Sequence, residues 1–92
     1  KKSYALKVTG DSMVDAGICD GDWVIIEEGT KPYKSKVHVI LIDNQDVTLK
    51  FIEKINPKEI KLIPANKKFK EIVYSIERIS IQGHVIGQVR IY

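Results

Sequence analysis

The sequence has 92 residues, 43% of them hydrophobic and 29% charged, and this composition predicts one compact globular domain spanning residues 1–92. Its single cysteine, Cys19, excludes an internal disulfide framework and a multi-cysteine metal site, and no apolar run approaches the ~18–20 residues that cross a bilayer. The net charge of +3 comes from 13 lysines and two arginines against 12 carboxylates, without the arginine-rich stripes of nucleic-acid readers, so a cytoplasmic protein with a solvated, mildly basic surface is expected.

Short apolar or alternating runs, separated by turn residues, predict an all-β or mostly β fold with short strands. In chain order, the predicted strands cover residues 4–8, 23–26, 37–42, 47–52, 60–63, 79–85 and 89–91. Gly87 is assigned to the turn between the last two. Apolar residues between Phe69 and Ile79 have helical spacing, but their β-branched content favours a strand or an irregular segment.

Histidine-based chemistry is the first catalytic arrangement to consider, because a Ser-His-Asp triad needs an imidazole base. His38 and His84 both lie inside β-like runs, where a histidine is usually packed or half-exposed in a strand. Two histidines and one cysteine far apart in the chain predict no metal site, and no glycine-rich phosphate loop is present. No cofactor is therefore expected.

Ser12 follows a Gly-Asp turn at the end of the first predicted strand, within the informative segment 9–22. A serine in such a bend can project its hydroxyl toward backbone N–H groups that could hold an oxyanion. The same spacing fits an ST-turn or helix cap in which Ser12 satisfies backbone donors near Asp15. The residues alone leave both interpretations open.

Lys50 is the lysine most closely surrounded by apolar residues in the sequence. A lysine can take the proton of a serine hydroxyl only when it is neutral, which requires burial to lower its pKa from ~10.4 toward 7. Strand alternation places Leu49 and Phe51 on one face and Lys50 with Thr48 and Ile52 on the other. An ordinary outward-facing lysine on an amphipathic strand is the alternative that this pattern allows.

Five segments together resemble the LexA/UmuD-type self-cleaving serine peptidases, which use a Ser-Lys dyad. Residues 10–13, Gly-Asp-Ser-Met, and the Asp-Gly-Asp turn at 20–22 are similar to the family's nucleophile motif. Residues 47–50, Val-Thr-Leu-Lys, are similar to the strand of its general-base lysine, which here lies 38 positions after the serine. Residues 62–66 and 83–90 are similar to its Leu-x-Pro-x-Asn segment and closing strands. The resemblance covers nearly the whole chain in the family's order.

This resemblance implies a compact, sheet-rich LexA-like and signal-peptidase-like domain that cuts a small residue–Gly bond in its own chain, upstream of these residues. Ser12 would be the nucleophile, Lys50 the neutral general base, and the backbone N–H groups of Asp11 and Ser12 the oxyanion hole. The family also dimerises through its C-terminal strand, so the expected dimer edge comprises Gln88, Val89, Arg90, Ile91 and Tyr92.

The resemblance further implies the peptidase and dimerisation domain of a LexA-like SOS-response repressor, activated by a RecA filament acting as coprotease. Because the sequence begins with Lys1 rather than Met, the cleavage site and an N-terminal DNA-binding domain are expected outside it. Alternatives are a UmuD-like polymerase accessory subunit, a phage-type repressor domain, or a non-catalytic dimerisation module of the same fold. A type I signal peptidase would require a membrane anchor, which this sequence does not show.

Overall fold

Seven antiparallel strands account for most of residues 2–92, the part of the chain that this computed structural model describes. Two three-residue 3-10 turns, Val14–Ala16 and Ile76–Arg78, are its helical segments, and none is long and apolar enough to span a membrane. The prediction of a mostly β fold is therefore confirmed. The strands are β1 (Ser3–Lys7), β2 (Trp23–Glu28), β3 (His38–Ile42), β4 (Asp46–Asn56), β5 (Glu59–Ile63), β6 (Ile72–Ser75) and β7 (Ile79–Val89).

The strands form one sheet in the order β1-β2-β7-β3-β4-β5-β6, so the last strand of the chain lies between β2 and β3. A tight turn joins β3 to β4, with Asp43 and Asn44 both at positive φ, 54° and 57°. Aspartate and asparagine tolerate this left-handed conformation better than other non-glycine residues, which explains why the hairpin turns there. The turn fixes the register that sets His38 opposite Lys50.

The main core lies between β2, β3, β4 and the long connection from β1 to β2. Val24 and Ile26 alternate along β2 and are both fully buried, as expected for a strand with one face on the core. Met13 and Ile18 reach the same core from the β1–β2 connection. The buried side chain of Met13, the residue after Ser12, therefore anchors this connection in the core.

The predicted division of the C-terminal strands is wrong. Residues 79–85 and 89–91 were expected as two strands with a turn at Gly87, whereas β7 runs unbroken to Val89. Gly87 pairs with Ile25 of β2, beside a bulge between Ile25 and Ile26. Pairing with β2 keeps the glycine extended, because tertiary hydrogen bonds override its local preference for turns.

The segment with helical spacing, 69–79, contains β6 followed by the 3-10 turn Ile76–Arg78. The prediction of a strand or an irregular segment is confirmed. The spacing of the apolar residues does not indicate a helix here because β6 is an edge strand of the sheet. Ile72 and Val73 are half exposed, so the apolar residues of this segment do not form a single buried face.

Replacing Gly83 with alanine is expected to destabilise the fold by about 1–3 kcal/mol, because an added methyl group overpacks a closed site. A Cβ at Gly83 would meet the Glu27 carbonyl oxygen and lie 2.7 Å from Cγ2 of Ile26. Gly87→Ala is the matched control on the same strand, since its Cβ would lie 3.6 Å from the nearest atom, in Ile25. Urea unfolding should show a change of about 0.5 kcal/mol or less for the control, and equal effects would contradict this packing argument.

Candidate active site

The side chains of Ser12 and Lys50 meet although they lie 38 positions apart in the chain. Lys50 Nζ is 3.1 Å from Ser12 Oγ and 2.6 Å from Thr48 Oγ1, within hydrogen-bonding distance of both. Thr48 lies two residues before Lys50 on β4, so strand alternation places both on one face of the sheet. The structure thus brings together the two residues that the sequence singled out as nucleophile and base.

The cap or ST-turn interpretation of Ser12 does not describe the structure. The 3-10 turn Val14–Ala16 has Met13 at its N-cap position and no side-chain cap hydrogen bond. The Ser12 hydroxyl instead accepts a hydrogen bond from the Lys50 amine. The side chain is therefore available for chemistry rather than committed to capping.

Glycines shape the loop on either side of Ser12. Gly10 has a φ of 84° and Gly17 a φ of 81°, both in the left-handed region that glycine enters without steric cost. The N–H of Gly10 donates to the Asp20 carboxylate at 2.7 Å, which ties the beginning of the loop to its end. Buried Met13 holds the middle of the loop in the core. Ser12 consequently lies on a constrained bend.

Residues after β5 hold the same loop from the other side. The Asn66 side-chain amide donates to the Asp11 carbonyl at 2.8 Å, and the Ala65 N–H donates to the Ser12 carbonyl at 2.8 Å. The Asp15 N–H donates back to the Ala65 carbonyl at 2.7 Å. Asn66 and Ala65 lie in the Pro-Ala-Asn segment, whose contacts with Ser12 no local sequence pattern predicts. Their position is a finding of the structure.

Burial lowers the pKa of Lys50 below the ordinary value for a lysine. Desolvation acts in this direction because it penalises the charged ammonium more than the neutral amine. Among residues 2–92 no carboxylate forms a salt bridge with Lys50 that would restore its charge. Burial therefore shifts Lys50 toward the neutral amine, the form whose lone pair can accept the proton of a hydroxyl group.

The backbone N–H groups of Asp11 and Ser12, predicted as the oxyanion hole, make no hydrogen bond within the described part of the chain. Neither residue belongs to a helix or strand that would consume these donors. Two free donors beside a serine hydroxyl are the arrangement that stabilises a developing oxyanion. The assignment of the Asp11 and Ser12 N–H groups as the oxyanion hole stays a prediction.

Two cavities open beside the Ser12–Lys50 pair. One, of about 200 Å³, is lined by Ser12, the end of β1 with the residues that follow it, and residues 47–49 of β4. The other, of about 260 Å³, is lined by Lys50 together with Leu62, Phe69 and Ile72. Thr48 borders both cavities. An extended peptide lying over the pair would have a depression of mixed polarity on the Ser12 side and a mainly apolar one on the Lys50 side for its side chains.

Neither histidine is hydrogen-bonded to Ser12 or Lys50 within residues 2–92. His38 is fully buried, and its Nε2 accepts a hydrogen bond from the Tyr33 N–H at 3.0 Å. Burial lowers the pKa of His38, and His84 packs against the Tyr33 ring with centroids 4.6 Å apart. Both are packed strand residues. Within residues 2–92, no group of three or more histidine, cysteine or acidic side chains is placed to hold a metal ion.

The five residues predicted as a dimer edge divide into two sets in the structure. The side chains of Gln88 and Arg90 turn toward Asp22 and are hydrogen-bonded to it. Val89 and Ile91 are 46% and 74% exposed, and Tyr92 is fully exposed. An apolar contact with a second chain would therefore use Val89, Ile91 and Tyr92.

Comparison with known proteins gives consistent matches. The Peptidase S24-like family matches residues 1–86. The chain is 44% identical to the LexA repressor of Zymomonas mobilis over 89 residues, 97% of this chain and 41% of that protein. It is 43% identical to the LexA repressor of Granulibacter bethesdensis, covering 97% and 36%, and 39% identical to that of Petrotoga mobilis, covering 96% and 43%. The chain thus spans less than half the length of these relatives.

Proposed function

The chain belongs to the Peptidase S24-like family as a LexA-type domain, and from this premise we propose that it is the self-cleaving and dimerising domain of an SOS-response transcriptional repressor. The observation that carries the proposal is the 3.1 Å approach of the half-buried Lys50 amine to the Ser12 hydroxyl. The relatives named LexA repressor favour a repressor over a polymerase accessory subunit. The intact pair and its free N–H donors favour an active peptidase over a non-catalytic dimerisation module.

The proposed reaction begins when neutral Lys50 accepts the proton of the Ser12 hydroxyl. The Ser12 oxygen attacks the carbonyl carbon of a small residue–Gly bond, and the resulting oxyanion is held by the N–H groups of Asp11 and Ser12. Lys50 then returns the proton to the glycine nitrogen, and the peptide bond breaks to leave an acyl-serine. A water molecule, deprotonated by Lys50, attacks that ester, and the returning proton regenerates Ser12.

Thr48 supports this cycle through a second polar contact with Lys50. Its hydroxyl is 2.6 Å from Nζ, so it can accept a hydrogen bond from the amine while the lone pair faces Ser12. A lysine side chain has many rotamers, and two polar contacts restrict it to the reactive one. This positioning is the contribution that we assign to Thr48.

The proposed substrate is a segment of the same protein upstream of residue 1, which makes the reaction intramolecular. Both catalytic groups are already in contact in the described chain, so an activator need only shift the population in which the substrate segment occupies the site. A RecA filament on single-stranded DNA, formed after DNA damage, is the proposed activator. DNA binding would belong to another part of the protein, and the proposed location is the cytoplasm.

The reactivity of Ser12 is expected to rise with pH and to level off above the lowered pKa of Lys50. Below that pKa the neutral fraction of the amine, and with it the rate, should increase about tenfold per pH unit. Diisopropyl fluorophosphate is a suitable probe, because Ser12 forms an O–P bond to it, fluoride leaves and Lys50 takes the proton. Labelling followed by mass spectrometry needs no substrate segment. A rate independent of pH would contradict the assignment of Lys50 as base.

Dimerisation is expected to depend on Val89. The β3 ladder ends at His84, and the Val85 N–H still donates to the Val37 carbonyl at 2.8 Å. Beyond Val85, β7 pairs with β2 alone within the described chain, which leaves an unpaired edge bearing Val89. Val89→Lys should weaken self-association at least about tenfold by placing a charge in an apolar contact. Val73→Lys is the matched control, since Val73 is 47% exposed against 46% for Val89 and lies on β6. Sedimentation that shows equal effects, or a monomer at high concentration, would contradict the predicted dimer edge.

A further inference from the structure

A buried carboxylate connects the loop of Ser12 to the end of β7. The Asp22 side chain is 3% exposed and lies at the C-terminal end of the β1–β2 connection, immediately before β2. Arg90 donates to both of its oxygens, from Nε at 2.8 Å and from Nη2 at 2.8 Å. Gln88 Nε2 donates at 2.9 Å, and the Cys19 N–H at 2.8 Å. Asp22 thus has four donors, three of them from the end of the chain.

The same two side chains also hold Gly17. Its carbonyl accepts hydrogen bonds from Gln88 Nε2 at 2.7 Å and from Arg90 Nη2 at 3.1 Å. Gly17 closes the 3-10 turn that starts two residues after Ser12, through its own N–H to the Val14 carbonyl at 2.9 Å. The side chains of Gln88 and Arg90 therefore bind a hydrogen-bonded turn adjoining Ser12.

The loop that carries Ser12 is consequently held at two places that are remote in sequence. On one side Ala65 and Asn66 bind the backbone at Ser12 and Asp11. On the other side Arg90 and Gln88 bind Gly17 and Asp22. A buried carboxylate keeps its orientation only while its charged and polar partners stay in place, so loss of Arg90 weakens this second attachment and leaves it to Gln88 alone.

We propose that Arg90 and Gln88 are positioning residues for Ser12, acting through Asp22 and the Gly17 carbonyl. This inference rests on the proposed peptidase function and extends it to the end of β7. A displacement of about 1 Å at a reacting atom can reduce a reaction rate about a hundredfold. An attachment that holds the turn next to Ser12 can therefore change the rate at which Ser12 reacts. Val89 lies between the two positioning residues and Ile91 follows Arg90, and both are exposed, so one short segment carries both the attachment and the predicted dimer edge.

The test compares Arg90→Gln with Arg78→Gln, which removes the other two-pronged arginine–aspartate pair of the chain. Arg78 binds Asp43 at 2.8 and 2.7 Å beside the β3–β4 turn, away from the Ser12 loop. Labelling of Ser12 by diisopropyl fluorophosphate is measured well below each melting temperature, at a concentration where sedimentation shows the same association state. Arg90→Gln should reduce the rate about 10- to 100-fold with an unchanged pH midpoint, because Lys50 is untouched, and Arg78→Gln should change it about twofold or less.

A second variant keeps the test decisive if Arg90→Gln does not fold. The double substitution Asp22→Asn with Arg90→Gln leaves no buried charge without its partner but loses the two-pronged ion pair, and it should show the same loss of labelling. Equal labelling of folded Arg90 and Arg78 variants, or of the double variant and the unaltered protein, would overturn the inference. Absence of labelling in the unaltered protein would instead overturn the proposed function, so the two failures are distinguishable.

Discussion

Lys50→Met is expected to reduce self-cleavage by about 10³- to 10⁶-fold at neutral pH, the range seen when a general base is removed from a serine peptidase. Methionine retains the length and apolar packing of lysine but has no lone pair basic enough to accept the Ser12 proton. Lys50→Arg should be equally inactive, because a guanidinium stays protonated at any accessible pH. The measurement is the rate at which the full-length protein is converted to fragments.

Lys54→Met provides the matched control for this result. Lys54 lies on the same strand and the same face as Lys50 but is exposed. Its replacement removes one lysine without touching the Ser12 hydroxyl, and it should leave the rate within about twofold of the unaltered protein. A similar loss in both variants would point to a general effect of charge and contradict the specific role of Lys50.

Lys50→Met is also expected to keep or raise the free energy of unfolding. Burial lowers the pKa of Lys50 in the folded state, so between that lowered value and the unfolded value of ~10.4 the unfolded chain binds more protons. Folding stability contributed by this residue therefore rises with pH through that window and is least below it. Methionine removes the free-energy penalty of burying an ammonium. Urea unfolding at neutral pH should therefore give Lys50→Met a free energy of unfolding equal to or above that of the unaltered protein. A marked loss of stability would indicate that Lys50 is structural.

Ser12→Ala is expected to abolish self-cleavage to a similar extent, since it removes the attacking oxygen. The loop should keep its shape, because the Ala65 N–H binds the backbone carbonyl of residue 12 and buried Met13 anchors the next position. Ser75→Ala is the control, as the Ser75 side chain makes no capping hydrogen bond at its turn. Fragment formation that persists in Ser12→Ala would remove Ser12 from the mechanism.

The strand content of this fold could be predicted from sequence because apolar alternation and turn residues are local signals. The predicted division of β7 at Gly87 is wrong because the local sequence does not reveal that β2 lies alongside. Pairing with β2 keeps Gly87 extended. The helical spacing between Phe69 and Ile79 misleads for a related reason, since an edge strand leaves apolar side chains exposed and loses its period.

The candidate site follows the same division between local and distant information. Thr48 and Lys50 share a face because they are two positions apart on a strand, so their proximity was predictable. The residues alone left Ser12 open to a capping role, and the resemblance to a Ser-Lys family was needed to pair it with Lys50. The supports from Asn66 and Arg90 join positions 55 and 68 residues apart, and no local pattern encodes such contacts.

Self-cleavage of the full-length protein is the most direct test of the Ser12–Lys50 account. The unaltered protein and Ser12→Ala are incubated without a partner at neutral pH and at about pH 10, where an ordinary lysine is partly neutral, and the products are weighed by mass spectrometry. The account predicts a single cut at a small residue–Gly bond upstream of residue 1, faster at the higher pH, and no cut in Ser12→Ala. An unaltered protein that stays intact at both pH values and with RecA filaments added, or fragments from Ser12→Ala, would contradict it.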